Sequence, residues 1–505
     1  MSGLNRTTLS SARLNADVAA PNTLPEVRIL QIGDGNFLRA FADWMVDVAN
    51  GAGLMNGRIT IAQPLNMGIA GKLNEQDGLY TVLLRGVQDG KEVKSKRVIT
   101  CVRDSLNPYS DRAALLACVS DPALRFVVSN TTEAGIAYAA EALTEECPQS
   151  FPAKVAALLW ARFQVLGGTA KTGLVFLPCE LIEANGTKLR KFVLQHAKDW
   201  NLPKAFVQWV EKHNYFLNTL VDRIVPGYPA NEAKELFAEL GYEDSLLVAA
   251  EPFHLWVIEG PKHLADELPL HKAGLDVVWT DDLQPYRTRK VRILNGAHTA
   301  SALAAYSAGL DTVQGVIDDS VVSKYLNTLM FDEIVPFVPL PDAERKQYAA
   351  TIMERFANAN IRHELISITL NSVSKWQVRV LPTLKDYAAK HGTAPKLLSF
   401  SLAALINFYH GSNDAKGEYT GKREVGDATE SYPIKDSADV IKALSDAWAG
   451  WSDGQDATAL VQKVLSDTGL WGEDLTAIPG LVAQVAKALN RIKDEGVKAA
   501  ISELL

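Results

Sequence analysis

Short apolar runs alternate with helical patterns over the first 180 residues of the chain. The runs are rich in β-branched residues, as buried strands are, and they lie at Val27–Ile32, Arg58–Ala62, Leu79–Leu84, Arg97–Val102, Arg125–Ser129 and Gly173–Leu177. Apolar residues at helical spacing lie between several of them, as in Asp111–Val119 and Pro152–Leu166. Strands that alternate with helices predict an α/β fold with a largely parallel, doubly wound sheet. Ligands of such a sheet bind beyond the C-terminal ends of its strands.

The pattern changes near residue 300, after which helical segments dominate and strand signals almost vanish. These segments are Thr299–Ala308, Val322–Phe331, Ala343–Phe356, Lys396–Tyr409, Ser437–Trp448 and Ile478–Ile492. The stretch from His410 to Ser437 is polar and contains glycine, and its unpatterned charges predict a solvated loop. A chain of 505 residues is too long for one compact core. We therefore predict a Rossmann-like domain at residues 1–285 and a mostly helical domain at residues 286–505.

The first apolar run ends in a glycine-rich turn, because Gly33-Asp34-Gly35-Asn36-Phe37-Leu38-Arg39 follows Val27–Ile32 directly. The glycines allow close backbone approach, and the N–H groups of a helix start can bind a phosphate. Leu38 occupies the third glycine position of the dinucleotide pattern G-x-G-x-x-G, so an ordinary strand-to-helix turn explains this stretch equally well by itself. Gln63 follows the second run, where NAD-binding domains usually carry an acid for the ribose hydroxyls. The local chemistry therefore leaves the choice between NAD and NADP open.

Three polar side chains of different chemistry lie close together between residues 289 and 298. Lys290 supplies an amine that can act as a base, Asn295 an amide that can donate to an oxygen, and His298 an imidazole that can polarise one. At about 100° per residue, Asn295 lies about 140° and His298 about 80° around a helix from Lys290, over about 12 Å of its axis. The alternative is a solvated basic stretch with Arg289 and Arg292 beside a core histidine, and spacing alone favours it. The position where the α/β part gives way to the helical part favours a site, because small molecules bind preferentially between domains.

Composition narrows the class of function. The 51 Lys and Arg against 59 Asp and Glu give a formal charge of −8, which provides no electrostatic reason to expect nucleic acid or an anionic membrane as a partner. The four cysteines form no C-x-x-C pair, which disfavours a disulfide framework, a structural zinc site and a zinc alcohol dehydrogenase. We find neither a secretory signal nor a run of 18 apolar residues. A cytoplasmic protein with a small-molecule ligand and no metal is expected.

Several ordered motifs resemble those of the mannitol dehydrogenase family, the polyol-specific long-chain dehydrogenases. The pattern Lys-x4-Asn-x2-His at Lys290, Asn295 and His298 resembles the family's catalytic signature, and Gly33–Arg39 resembles its G-x-G-x-F-x-R cofactor turn. Further similar blocks lie at Asn130–Ile136, Pro178–Ile182, Asn185–Gly186, Thr219–Ile224, Glu251–Phe253 and Trp256–Glu259. The resemblance runs along most of the chain. It implies an NAD-dependent oxidoreductase with a Rossmann-like NAD-binding domain and a helical domain that carries substrate and catalytic groups.

The resemblance also implies roles for individual residues. Lys290 would act as general acid and base, and Asn295 and His298 would hydrogen-bond the reacting oxygen. Glu133 would relay the proton of Lys290 to solvent, although an acid at a helix start explains Glu133 equally well. Cofactor contacts are implied for Gly33, Asp34, Gly35, Asn36, Phe37, Arg39 and, at the nicotinamide end, Asp222.

Within the family, the blocks at residues 130–136, 178–186 and 293–300 imply the interconversion of D-altronate and D-tagaturonate in hexuronate breakdown. Enzymes for fructuronate or mannonate, and for mannitol or arabinitol, share the catalytic motif and remain alternatives. A catalytically silent nucleotide-binding sensor is a remote one, which the combination of Lys290, Asn295 and His298 argues against. The oligomeric state is not decided by the sequence.

Two departures from the polyol-oxidising relatives concern the substrate. Leu181 stands where mannitol enzymes carry an asparagine as second donor to the reacting oxygen, and Ser367 stands where they carry a substrate-contacting arginine. Lys375 matches a substrate-contacting lysine and is our candidate for binding a sugar-acid carboxylate. Arg362 and His363 are further candidates, for which structural ion pairing is an equally good interpretation.

Overall fold

The structure is a computed structural model that describes residues 2–11, 17–18, 26–88, 90–131, 134–359 and 362–505. The chain divides into two compact units, Met1–Leu283 and Gln284–Leu505. The boundary predicted between residues 285 and 286 falls inside Gln284–Arg289, the first helix of the second unit. Among the residues described, no helix is long and apolar enough to cross a membrane.

The first unit is built around a six-stranded parallel sheet. Strands of this unit lie, in chain order, at Asp17–Val18 (β1), Val27–Ile32 (β2), Arg58–Ala62 (β3), Tyr80–Gln88 (β4), Lys91–Ile99 (β5), Val102–Leu106 (β6), Phe126–Ser129 (β7), Val175–Pro178 (β8), Tyr215–Phe216 (β9), Asn218–Asp222 (β10), Val248–Ala250 (β11), Leu255–Glu259 (β12) and Val277–Thr280 (β13). The parallel sheet has the order β6-β3-β2-β7-β8-β9. Numbered along the chain, this is the order 3-2-1-4-5-6 of the dinucleotide-binding fold, whose ligand site lies where the order reverses, here between β2 and β7.

Alternate side chains of the central strands enter two separate apolar cores. Ile29, Phe126 and Val128 belong to one core, whereas Leu30 and Val127 belong to the other. Because successive strand residues point to opposite faces, both faces of the parallel sheet are buried. The helices of this unit are Arg6–Ser11, Asn36–Leu38 with its continuation Arg39–Asp43 and Trp44–Gly51, Ala70–Glu75, Arg112–Val119, Phe151–Leu166, Asn185–Asp199, Lys204–His213, Ala233–Leu240 and Leu264–Glu267. The predicted doubly wound Rossmann-like fold is confirmed.

Two of the predicted strands do not join the parallel sheet as expected. Leu79–Leu84 contributes to β4, which pairs antiparallel with β5 in a second sheet of order β1-β5-β4-β11. The run Arg97–Val102 is divided between the end of β5 and the start of β6. The antiparallel pairing of β4 and β5 has a signal in the sequence, since Asp-Gly at residues 89–90 favours a tight hairpin turn. In the structure Gly90 has the positive φ, 69°, that such a turn requires. β10, β12 and β13 form a third sheet.

The second unit is mostly helical, as predicted. Its helical segments are Gln284–Arg289, Lys290–Asn295, Gly296–Ser307, Val313–Asp318, Ser320–Thr328, Leu329–Ile334, Asp342–Phe356, Leu365–Ile368, Ser372–Arg379, Leu381–His391, Lys396–Phe408, Ala438–Trp448, Thr458–Leu465, Thr468–Trp471, Leu481–Glu495 and Val497–Leu504.

The solvated loop predicted from His410 to Ser437 is wrong, because this stretch forms an antiparallel sheet of β14 (Gly411–Asn413), β15 (Tyr419–Val425) and β16 (Ala428–Pro433). Arg423 anchors it by donating to the carbonyls of Tyr306 at 3.2 Å and Leu310 at 3.1 Å. The sequence looked like a loop because β16 exposes all of its side chains except that of Tyr432.

Candidate active site

The glycine turn of the first unit lies at the point where the strand order reverses. Gly33 follows β2 with φ of 135°, and a Cβ on it would lie 2.9 Å from the carbonyl oxygen of Asn130, the residue after β7. Only glycine fits both the backbone angle and the close approach. The Gly33 N–H donates to the carbonyl of Ala62 at the end of β3, at 2.9 Å. The turn is thereby held between the ends of three neighbouring strands.

A long helix starts directly after this turn, at Asn36, and continues through a π turn at Arg39–Asp43 to Gly51. The residue before it, Gly35, is exposed, and a Cβ there would meet nothing within 4 Å. Gly35 brings no side chain to cap the helix start, so the N–H groups of the first turn stay available for a phosphate. These residues fit the pyrophosphate of NAD. Phe37 packs on Phe41, one turn later, with 4.9 Å between ring centroids.

Two of the predicted cofactor residues hold each other. Arg39 is buried, and its guanidinium donates at 2.6 Å to the Asn36 side chain and at 2.6 Å to the carbonyl of Leu246. It also lies over the ring of Tyr80, 5.1 Å from the centroid. Arg39 therefore stabilises the start of the helix from its buried side. A direct contact of Asn36 or Arg39 with the cofactor stays a prediction.

A buried acid lies beneath the same turn. Asp43 accepts a hydrogen bond from the Tyr80 hydroxyl at 2.6 Å and one from the Gln31 amide at 3.4 Å. The Gln31 amide also donates to the Gly33 carbonyl at 3.0 Å. Burial raises the pKa of Asp43 to about 7. Within the described residues the second carboxyl oxygen of Asp43 and the amide oxygen of Gln31 both lack a donor. We infer that Asp43 is largely protonated below neutral pH.

The protonation of Asp43 gives a pH-dependent prediction. Its pKa in the folded chain is raised above the ordinary value of 3.8. The folded state therefore holds the proton that the unfolded state loses, and the free energy of unfolding falls as pH rises from about 4 to about 7. Asp43→Asn keeps a neutral side chain and removes this loss. Between pH 5 and pH 8 we expect the urea midpoint of the variant to rise relative to that of the wild type.

The control for this measurement is Asp47→Asn, one turn along the same helix. Asp47 is ion-paired with Arg97 at 2.7 Å and accepts the N–H of Thr100 at 2.7 Å. Its loss breaks a buried ion pair, so this variant should be destabilised at pH 8. Parallel pH dependences of the midpoints of wild type and Asp43→Asn would show that Asp43 is not protonated.

The loops after β7 and β8 are joined by one carboxylate. Glu180 accepts from the Ser129 hydroxyl at 3.1 Å and from the Thr131 N–H and hydroxyl at 2.9 and 3.0 Å. It is buried, which raises its pKa. Leu181, the next residue, is 58% exposed, and as an alkyl group it provides no donor where mannitol enzymes have an asparagine. Glu133 lies outside the described residues, so its predicted proton relay stays a prediction.

Asp222 is buried at the end of β10. The next residue, Arg223, donates to the carbonyls of Glu251 at 2.9 Å and Ala40 at 2.7 Å and lies over Trp44. Burial lowers the pKa of Arg223 to about 9. Since Ala40 belongs to the helix that follows the glycine turn, Arg223 fixes the position of Asp222 relative to that helix.

In the second unit, the predicted helix with Lys290, Asn295 and His298 is present but contains a π turn. Helix runs continuously from Gln284 to Ser307, and Lys290–Asn295 is its π segment. The Gly296 N–H donates to the carbonyl of Val291, five residues earlier. In such a turn residues five apart lie about one turn apart, so Asn295 lies closer to the side of Lys290 than the 140° expected from an α-helix. The angle between the two residues around the helix is therefore smaller than the α-helical value, so both residues lie nearer to one side of the helix.

The two arginines beside Lys290 serve the structure. Arg289 pairs with Glu344 at 2.9 Å and lies over the Tyr348 ring. Arg292 pairs with Asp386 at 2.5 Å. The segment is therefore not the solvated basic stretch that spacing alone favoured.

Two rings that the sequence did not connect with His298 hold its imidazole. Phe356 stacks on it with 4.1 Å between centroids and 15° between planes, and His363 meets it edge-on at 5.2 Å. Burial lowers the pKa of His363, which favours its neutral form beside His298. Phe356 carried no signal in the sequence beyond a buried aromatic residue at a helix end.

The other predicted substrate residues lie on two neighbouring segments. Lys375 is on the helix Ser372–Arg379. This helix packs closely on the helix of Lys290, because a Cβ on Gly296 would lie 3.2 Å from the Arg379 carbonyl oxygen. The ammonium group of Lys375 donates to the Ile368 carbonyl at 3.0 Å. Arg362 is exposed and paired with Glu364 at 2.5 Å, whereas His363 contacts His298, a member of the catalytic pattern.

The part of the chain that the structure describes has no group of three or more His, Cys, Asp and Glu side chains that could hold a metal ion. One continuous helix carries an amine at Lys290, an amide at Asn295 and an imidazole at His298. They can move a proton and stabilise a negative oxygen, which is what oxidation of an alcohol or reduction of a ketone requires.

The mannitol dehydrogenase Rossmann domain matches residues 27–272, and the mannitol dehydrogenase C-terminal domain matches residues 282–493. The chain belongs to the mannitol dehydrogenase family. This membership confirms the resemblance found in the sequence, the predicted class of NAD-dependent dehydrogenase, and NAD as the cofactor.

Relatives named altronate oxidoreductase are similar to this chain along almost its whole length. An altronate oxidoreductase of Yersinia enterocolitica is 45% identical over 94% of this chain and 96% of its own length. One from Halalkalibacterium halodurans is 44% identical over 95% of this chain and 94% of its own length.

Two solved structures share the fold of this chain. D-sorbitol dehydrogenase in substrate-free form has a TM-score of 0.78 at 24% identity, covering 99% of this chain and 100% of the other. Pseudomonas fluorescens mannitol 2-dehydrogenase, solved with NAD and D-mannitol, has a TM-score of 0.71 at 24% identity, covering 99% of each chain.

Proposed function

We propose that the chain interconverts D-altronate and D-tagaturonate, as a tagaturonate reductase in hexuronate breakdown. The observation that supports the chemistry is the π turn at Lys290–Asn295, which reduces the angle between Lys290 and Asn295 on the helix that also carries His298. The substrate is supported by the relatives named altronate oxidoreductase, which are 42–45% identical over 94–95% of the chain.

The reaction needs a hydride acceptor and a proton acceptor. When bound, NAD would supply the hydride chemistry, with NAD+ as acceptor of a hydride from the carbinol carbon in oxidation and NADH as hydride donor in reduction. The Lys290 amine takes the proton of the reacting hydroxyl, and the C–O single bond becomes a carbonyl. In reduction the Lys290 ammonium gives this proton back to the oxygen. One proton and one hydride therefore leave the alcohol together, and both return to the ketone.

The reacting oxygen gains negative charge while the proton and the hydride move. Asn295 donates an amide N–H to this oxygen, and His298 donates a ring N–H to the same atom. Stabilisation of this kind is often the largest single contribution to catalysis. Phe356 and His363 restrict the ring of His298 and so keep its donor aimed.

A sugar acid also presents a carboxylate. Lys375 is the proposed partner of this group, because its half-buried ammonium already donates to a carbonyl oxygen and lies on the helix packed against Gly296. His363 is a further candidate because it contacts His298. Arg362 could bind a carboxylate only after leaving its surface pair with Glu364.

The proposed substrate and the proposed lack of a metal are tested together by following NADH oxidation with tagaturonate, fructuronate and fructose, with and without EDTA. We expect kcat/KM to be at least about tenfold higher for tagaturonate than for fructuronate or fructose, and unchanged by the chelator. Preference for fructuronate would favour a mannonate-type enzyme, and preference for fructose a polyol dehydrogenase. Loss of activity with EDTA would contradict the metal-free mechanism.

A further inference from the structure

The loop after β3 is folded around one side chain. Gln63 is buried, and its amide nitrogen donates to the carbonyls of Leu65 and Asn66, each at 2.9 Å. Its amide oxygen accepts the N–H of Ala70 at 3.3 Å. The polar atoms of Gln63 are thus engaged in shaping residues 65–70.

A carboxylate from the glycine turn reaches the same loop. Asp34 accepts the N–H of Ile69 at 2.7 Å. A Cβ on Gly68 would lie 2.5 Å from an Asp34 carboxylate oxygen and 2.6 Å from the Gln63 amide oxygen. The carboxylate of Asp34 therefore lies beside Gln63 at the C-terminal end of β3, and it is half-buried.

This is the second strand of the dinucleotide-binding order, and its end is where NAD-specific domains place an acid for the ribose hydroxyls. Here no acid follows the strand in sequence, because Gln63 and Pro64 stand there. We propose that Asp34, from the glycine turn, supplies that acid and selects NAD over NADP, while Gln63 positions the loop that holds Asp34. The inference rests on the cofactor turn described above.

The physical basis is charge. A phosphate monoester carries a charge of about −1.5 to −2 at pH 7, so the 2′-phosphate of NADP is repelled by a fixed carboxylate in a partly desolvated site. The 2′-hydroxyl of NAD can instead donate to it. Lys72 is an exposed cation on the helix Ala70–Glu75, which begins at the end of this loop.

The test is the dissociation constant of NADH and of NADPH, measured by fluorescence titration of the purified chain. Wild type should bind NADPH at least about a hundredfold more weakly than NADH. Asp34→Asn and Asp34→Ser, which both keep an acceptor for the Ile69 N–H, should reduce that ratio at least about tenfold, chiefly through tighter NADPH binding. Gln63→Ala should weaken both cofactors by similar factors, since it disturbs the loop without changing its charge.

The matched control is Asp121→Asn. Asp121 is also half-buried and accepts a backbone N–H, from Ala123 at 2.8 Å, but it precedes β7 at the opposite end of the sheet, so its loss should leave the ratio unchanged. A ratio unchanged in both Asp34 variants, or an equal loss of both cofactors, would overturn the inference. Equal binding of NADH and NADPH by wild type would also overturn the inference, but it would leave the dehydrogenase assignment intact. Wild type that binds neither cofactor would contradict the assignment of Gly33–Arg39 as a cofactor-binding turn.

Discussion

Lys290→Ala is expected to lower the turnover number for tagaturonate reduction by at least about a hundredfold, in line with the usual contribution of a general acid or base. The variant removes the group that gives the proton to the oxygen and leaves the glycine turn of the first unit untouched. The dissociation constant of NADH, measured by fluorescence titration, should therefore stay within about twofold of wild type.

The matched control is Lys346→Ala. Lys346 is an exposed lysine of the same unit, paired with Asp342 at 2.7 Å within the helix Asp342–Phe356. Surface pairs of this kind contribute little, so turnover should be unchanged. Turnover of Lys290→Ala near the wild-type value would refute the role of Lys290.

Asn295→Ala is expected to have the second largest effect, a fall of about 10²–10³ in kcat, which is the usual loss when one donor to a developing oxyanion is removed. Leu181 provides no second donor of the kind found in mannitol enzymes, so the amide of Asn295 is expected to contribute a larger share of the stabilisation of the oxyanion. KM should change little, because the interaction strengthens as charge develops on the oxygen.

The control for Asn295 is Asn327→Ala, an exposed asparagine in the helix Ser320–Thr328. It makes the same change of residue in a helix without touching the Lys290 segment, and kcat should be unchanged. A rise confined to KM in Asn295→Ala, with kcat unchanged, would show that Asn295 binds the substrate without stabilising the oxyanion.

Much of the fold followed from local patterns. The turn at Gly33 was predictable because a β-branched run and two glycines encode strand and turn directly, and the long helices after residue 300 were predictable from their apolar spacing. The hairpin of β4 and β5 was missed although Asp-Gly at residues 89–90 signals it. β14 to β16 were missed because a sheet with one exposed strand resembles a polar loop in composition.

The site was less predictable, because its geometry depends on packing between distant residues. The π turn at Lys290–Asn295 has no signature in its own residues, and it occurs where Gly296 packs against the backbone of Arg379. The stacking of Phe356 on His298 joins two helices more than fifty residues apart. The placement of Asp34 beside Gln63 joins a turn to a loop. Sequence identified the reactive groups, and tertiary contacts determine how they are oriented.

The most direct test of the central claim, proton transfer by Lys290, is chemical rescue of Lys290→Ala with small primary amines. An amine that enters the space left by the lysine side chain can carry the proton in its place. We expect methylamine and ethylamine to raise the turnover of the variant at least about tenfold, with rates that follow the pKa of the amine, and to leave wild type and Lys346→Ala unchanged. A turnover that stays flat across the amine series, while NADH still binds, would contradict the account.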